Sequence, residues 1–126
     1  LAALDEWTVR RQDIAAIYSE HLAGLPELTL PQVSADTTSA WHLYVVRHPR
    51  RDVLSAALSE QGVPTALHYP VPNHHSGAFK ETHGHLSFPI TENICATCLS
   101  LPIGPHLSVD DAIEISARIR HAIKEI

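Results

Sequence analysis

The sequence predicts an α+β domain in which a three-stranded sheet is covered by a long first helix and a long last helix. Three observations carry that prediction. Apolar residues recur at helical spacing at both ends of the chain, three short β-prone runs lie between them, and a proline or glycine closes almost every segment. At 126 residues the chain is long enough for one core of ordinary size. No repeat, low-complexity tract or linker divides it, so residues 1–126 are read as a single domain.

From Leu1 to Leu25, the residues Leu4, Trp7, Ile14, Ala15, Tyr18, Leu22 and Leu25 fall mostly three or four apart, the pattern of an amphipathic helix. Gly24 and Pro26 supply its stop, because glycine tolerates the left-handed position after a helix and proline cannot continue one. Thr29 to Ala40 is polar and without period, a surface connection. Trp41 to Arg47, dense in aromatic and β-branched residues and ended by His48-Pro49, is the clearest strand; apolar groups on both faces make it central. Val53, Leu54, Ala57 and Leu58 give the segment from Arg50 to Gln61 a helical face, and Gly62 stands where the glycine after a helix belongs.

Val63 to Tyr69 reads as a second strand in the same sheet, and it delivers the stretch Leu67 to His75, LHYPVPNHH. Pro70 and Pro72 fix φ, remove two backbone donors and disfavour helix in the residues before them, so imidazoles and a phenol ride on a stiff connection. Groups that donate and accept protons, held where they cannot collapse, make a binding wall; the plain alternative is a proline-rich connector with solvent-facing histidines. Ser76 to Ser87 has no period and reads as a mobile excursion. Pro89 suits a helix start, with Ile90, Ile94 and Cys98 on one face, and Cys98 to Leu101, closed by Pro102, reads as the third strand. Ser108 followed by Asp111 resembles a capping box with Asp in place of Glu or Gln, and Ala112, Ile115, Ile119, Ala122 and Ile126 form the stripe of the last helix.

Composition narrows the function. The net charge of -5 and the lack of any Lys/Arg block argue against a nucleic-acid footprint, and no run approaches the roughly 18 to 20 apolar residues that would span a bilayer. The chain opens on Leu1, holds no methionine and shows no signal-peptide pattern, so it is expected to be a piece of a longer polypeptide. Cys95 and Cys98 suit a reducing, cytoplasmic setting. Ten histidines invite a zinc reading through His74, His75, His83 and His85 with the two cysteines. The spacing disfavours it, since Cys95 and Cys98 fall between an apolar helix and a strand, where small thiols are ordinary core, and no metal ligand is assigned. No serine or cysteine nucleophile with an oriented histidine, and no glycine-rich phosphate loop, can be picked out by spacing.

The series WHLYVVRHPRRDVLSAALSEQGVPTALHYPVPNHHSGAF, followed by FPITENICATCLSLPIGPHLSVDD, resembles the C-terminal part of the DegT/DnrJ/EryC1/StrS sugar aminotransferases. The most specific pieces are the loop His68 to His74, Phe88-Pro89 with Thr91-Glu92, and the run Ser100 to Ser108. The resemblance implies a pyridoxal-phosphate-dependent homodimeric enzyme moving an amino group from glutamate or a similar donor to a nucleotide-linked keto-deoxy sugar. It implies that this chain is the C-terminal small domain of the aspartate-aminotransferase fold, with a mainly antiparallel sheet. The cofactor-binding large domain, with its Schiff-base lysine, would be absent. Lys80 and Lys124 have no surroundings that would lower an amine's pKa, so no catalytic or cofactor-binding residue is assigned and the isolated chain is expected to be inactive. His68, Tyr69 and His74 are the expected sugar-nucleotide contacts, and His75 stays outside the pattern. The alternative from another class is a stand-alone binding or interaction domain that keeps the fold without the chemistry.

Overall fold

The computed structural model describes residues 2–126. In chain order it contains α1 (Leu4–His21), β1 (Tyr44–Arg47), α2 (Arg51–Glu60), a 3-10 turn (Asn73–His75), the one-turn α3 (Lys80–His83), α4 (Pro89–Thr97), β2 (Cys98–Leu101) and α5 (Val109–Glu125). The α+β class stands. The expected mobile excursion contains α3, and the helix after Phe88 starts at Pro89 as its sequence requires.

The three-stranded sheet is corrected to two strands. β1 and β2 are antiparallel, with Tyr44 opposite Leu101 and Arg47 opposite Cys98. The expected strand Val63 to Tyr69 contributes one bridge only, Ala66 to Ser100, whose two hydrogen bonds measure 3.2 and 2.8 Å. Antiparallel bonding recurs every second residue, so on one side of this bridge the next pair sets Pro64 against Pro102, and neither has an N–H to give. Prolines limit the other edge in the same way. Thr29, placed in the polar connection, bridges Arg47 through two bonds of 2.9 Å, and the pairs that would extend this bridge fall on Pro31 and Pro49. Proline thus stands beside the single bridge on each edge of this short sheet.

The core lies between this sheet and the helices α1, α2 and α5. Ile14 and Tyr18 from α1 and Leu22 just after it meet Tyr44 and Val46 from β1, Leu54 and Leu58 from α2, Leu99 from β2 and Ile119 from α5. The apolar stripe expected for the first helix is therefore real only in its C-terminal half; Trp7, near its start, is 50% exposed. Tyr18 is fully buried, and its hydroxyl donates to the Pro102 carbonyl at 2.7 Å. Burial also pushes the Tyr18 and Tyr44 phenols above their ordinary range, because a phenolate there would lose its hydration. α5 begins at the expected capping box: the Asp111 amide donates to Ser108 Oγ at 3.0 Å and the Ser108 amide to Asp111 Oδ2 at 2.9 Å.

Candidate functional site

A cavity of about 690 Å³, with no lining residue from α1 or α5, has a volume suited to a small organic ligand. Its walls are the segment His68–His74, α4, and side chains from around α3. All three side chains expected at the site, His68, Tyr69 and His74, line it. The loop is shaped as its prolines dictate: Pro72 is extended at φ -65° and ψ 146°, and the chain then turns through the 3-10 residues Asn73–His75.

The three side chains are held differently. His68 Nδ1 lies 2.9 Å from Ser100 Oγ, which ties the ring to the middle of β2. Tyr69 is 72% exposed and stands edge-on to His68, with ring centroids 5.4 Å apart. His74 is only 7% exposed: its ring is set edge-to-face against Phe88 at 4.9 Å, and its Nε2 lies 3.3 Å from Glu92 Oε1. The same carboxylate oxygen accepts the Phe88 amide at 2.7 Å, closing the first turn of α4. These bonds, the backbone one first, hold the Glu92 carboxyl below its usual range and keep it ionised beside His74. His75 is exposed beside it, with ring centroids 4.0 Å apart. Two separated sequence motifs, the His68–His74 loop and Phe88-Pro89 with Thr91-Glu92, are thus joined by one side-chain pair.

Three contributors escaped the sequence reading. Ser100 was absorbed into an apolar run, although one polar residue in a fully buried strand was a signal that something must bond to it. Arg51, a buried cation from α2, donates to the carbonyls of Cys98 at 2.9 Å and Cys95 at 3.3 Å, where it stabilises the C-terminal end of α4. No local pattern marks that long-range role. Ile94, read only as part of one apolar helix face, lines the open cavity, and α4 has no buried residue.

The cysteines do not converge with the histidines on a metal. Cys98 is buried with its Sγ 3.8 Å from the Tyr69 carbonyl and 3.7 Å from that of Cys95. The residues present do not fit covalent attachment of an aldehyde cofactor, because Lys80 and Lys124 are both exposed and neither lines the cavity. Among the described residues no helix is long and apolar enough to cross a membrane.

Comparison with known proteins places this geometry in a family. The DegT/DnrJ/EryC1/StrS aminotransferase family matches residues 1–120. The chain is 45% identical over 121 residues to a dTDP-3-amino-3,4,6-trideoxy-alpha-D-glucose transaminase of Streptomyces venezuelae, covering 95% of this chain and 32% of the relative. It is 41% identical over 121 residues to the erythromycin biosynthesis sensory transduction protein EryC1 of Saccharopolyspora erythraea, covering 95% and 33%. The structure of S. venezuelae DesV with a ketimine intermediate superposes with a TM-score of 0.95 at 42% identity, over 100% of this chain and 34% of that one. The fold extends to Helicobacter pylori PseC, with a TM-score of 0.90 at 16% identity over 100% of this chain and 35% of that one. The chain spans about a third of the length of the curated relatives it matches. It belongs to the DegT/DnrJ/EryC1/StrS aminotransferase family.

Proposed function

We propose that this chain is the C-terminal small domain of a pyridoxal-phosphate-dependent sugar aminotransferase and that its cavity is one wall of the sugar-nucleotide site. The whole protein would move an amino group from glutamate or a similar donor to a nucleotide-linked keto-deoxy sugar, as a cytoplasmic homodimer. The cofactor and its lysine belong, in this reading, to a large N-terminal domain outside the chain. The observation that carries the reading is the coincidence of the family match over residues 1–120 with a cavity built from the family-like motifs. His68 and His74 are each fixed by a partner, Ser100 and Glu92, while Tyr69 reaches outward. A wall ordered before the ligand arrives loses little side-chain entropy on binding.

The test separates the two half-reactions in the full-length protein. Tyr69→Phe and His74→Ala are each expected to raise KM for the sugar nucleotide by the equivalent of about 1 to 3 kcal/mol while leaving the amino-donor half-reaction nearly intact. An equal loss in both half-reactions, or a loss of thermal stability alone, would reduce these residues to support for the fold. The stand-alone alternative is separated by the reading frame: a start codon immediately before Leu1 supports it, and a lysine-bearing domain read in frame into Leu1 removes it.

A further inference from the structure

His74 and Glu92 meet a third donor that the substrate reading leaves unused. One ligand atom from each of His74, His75 and Glu92 lies within 4.8 Å of the other two. We propose that these three side chains form a binding site for a divalent transition-metal cation of the zinc, cobalt or nickel type, at the edge of the cavity that His74 lines.

The donor set selects the metal. Two imidazoles and one carboxylate suit zinc and its neighbours, whereas magnesium and calcium favour oxygen ligands throughout. The spacing fits the same class. His74 Nε2 and Glu92 Oε1 are 3.3 Å apart. A cation about 2.1 Å from each would see them at an angle of roughly 104°, close to a tetrahedral one. Both are held before any ion arrives, His74 by burial against Phe88 and Glu92 by the Phe88 amide at 2.7 Å. His75 completes the set. It is exposed, it follows His74 in the 3-10 turn, and an exposed ring can rotate to close the remaining gap, since two ligands of one such cation lie at most about 4.2 Å apart.

This trio differs from the histidine and cysteine set that the sequence spacing disfavours. The fold directs Cys98 into the core and brings Glu92 to the histidines in its place. A cation there would tie the turn after Pro72 to the start of α4 and would occupy His74. The inference stands without the substrate reading, and its test reads metal directly, so the failure of one leaves the other untouched.

The full-length protein carrying this chain is stripped with chelator and titrated with cobalt, followed by zinc competition and metal analysis after desalting. The expected result is one cobalt per chain with the intense visible absorption of a tetrahedral ion, displaced by zinc. His75→Ala and Glu92→Gln should each weaken binding by more than about 100-fold, since even changes outside the ligand shell cost about 10- to 100-fold. His85→Ala, at an exposed histidine outside the trio, should bind as the parent does. His75 is exposed, so its variant reports on the site even where Glu92→Gln disturbs the start of α4. Failure to retain stoichiometric metal, or retention unchanged in His75→Ala, overturns the proposal.

Discussion

The half of the molecule built from α1, α2, α5 and the sheet and the half built from residues 68–97 use similar apolar residues to opposite ends. In the first, Ile14, Leu54, Leu99 and Ile119 are all 0% exposed and fill one another's gaps. In the second, Tyr69 is 72% and Ile90 79% exposed, and Phe79 and Phe88 stand around a cavity instead of closing it. The second half keeps its shape by polar means: His68 bonds to Ser100, His74 to Glu92, and Arg51 reaches the carbonyls at the end of α4. Apolar burial thus stabilises the domain on one side, and directional bonds leave apolar surface available on the other.

The largest effects that could break this division are single truncations on its two sides. Leu99→Ala is expected to cost about 2 to 5 kcal/mol of unfolding free energy, through lost transfer energy and the cavity left behind. Ile90→Ala should stay within about 0.5 kcal/mol, because its side chain is already in water. Urea denaturation of both variants measures the contrast. A cost at Ile90 comparable to that at Leu99 would mean that the cavity side is a second core.

Arg51 sharpens the comparison, since it belongs to one half and holds the other. Arg51→Ala is expected to cost about 2 to 3 kcal/mol, because bonds from a charged donor are strong and two carbonyls lose a buried partner. The loss should be local to the end of α4. Hydrogen exchange is expected to quicken at the amides of Ala96 and Thr97 and stay unchanged in α1; uniform acceleration would show that Arg51 supports the whole core.

How much of this was legible in the sequence follows the same division. The capping box of α5, the glycine after α2 with its φ of 74° and the start of α4 at Pro89 are local rules, and the structure obeys them. That the loop His68–His74 stands as a wall was legible from its two prolines, whereas singling out His68, Tyr69 and His74 on it rested on the family resemblance. The missing third strand was not legible, since the pairing of Pro64 with Pro102, which leaves no N–H to bond, depends on a register that only the fold supplies. Arg51 and Ser100 were missed for the same reason: their partners lie 44 to 47 and 32 residues away. Trp7 and Ile94 carried helical periodicity that predicted burial, yet a periodic stripe marks only a face that something covers, which need not be this chain.

The smallest effect separates the halves by acid. Two carboxyls sit below their ordinary range: Asp111 on the core side, held by the Ser108 hydroxyl and amide, and Glu92 on the cavity side, held by the Phe88 amide. A carboxyl whose folded pKa is lowered takes up its proton first in the unfolded chain. Its contribution is therefore complete above the unfolded value and is lost as pH falls through the folded one. For Asp111 that loss begins near its ordinary value of 3.8 and continues below it. Both groups are solvated, so each slope is shallow. Ser108→Ala should cost about 1 kcal/mol at neutral pH by removing the cap. Asp111→Asn should flatten the acid limb of thermal unfolding in proportion to the share Asp111 holds, leaving the slope due to Glu92. An acid limb unchanged in Asp111→Asn but abolished in Glu92→Gln would place the whole of the acid response on the cavity side, and the capping box would then owe its stability to Ser108 alone.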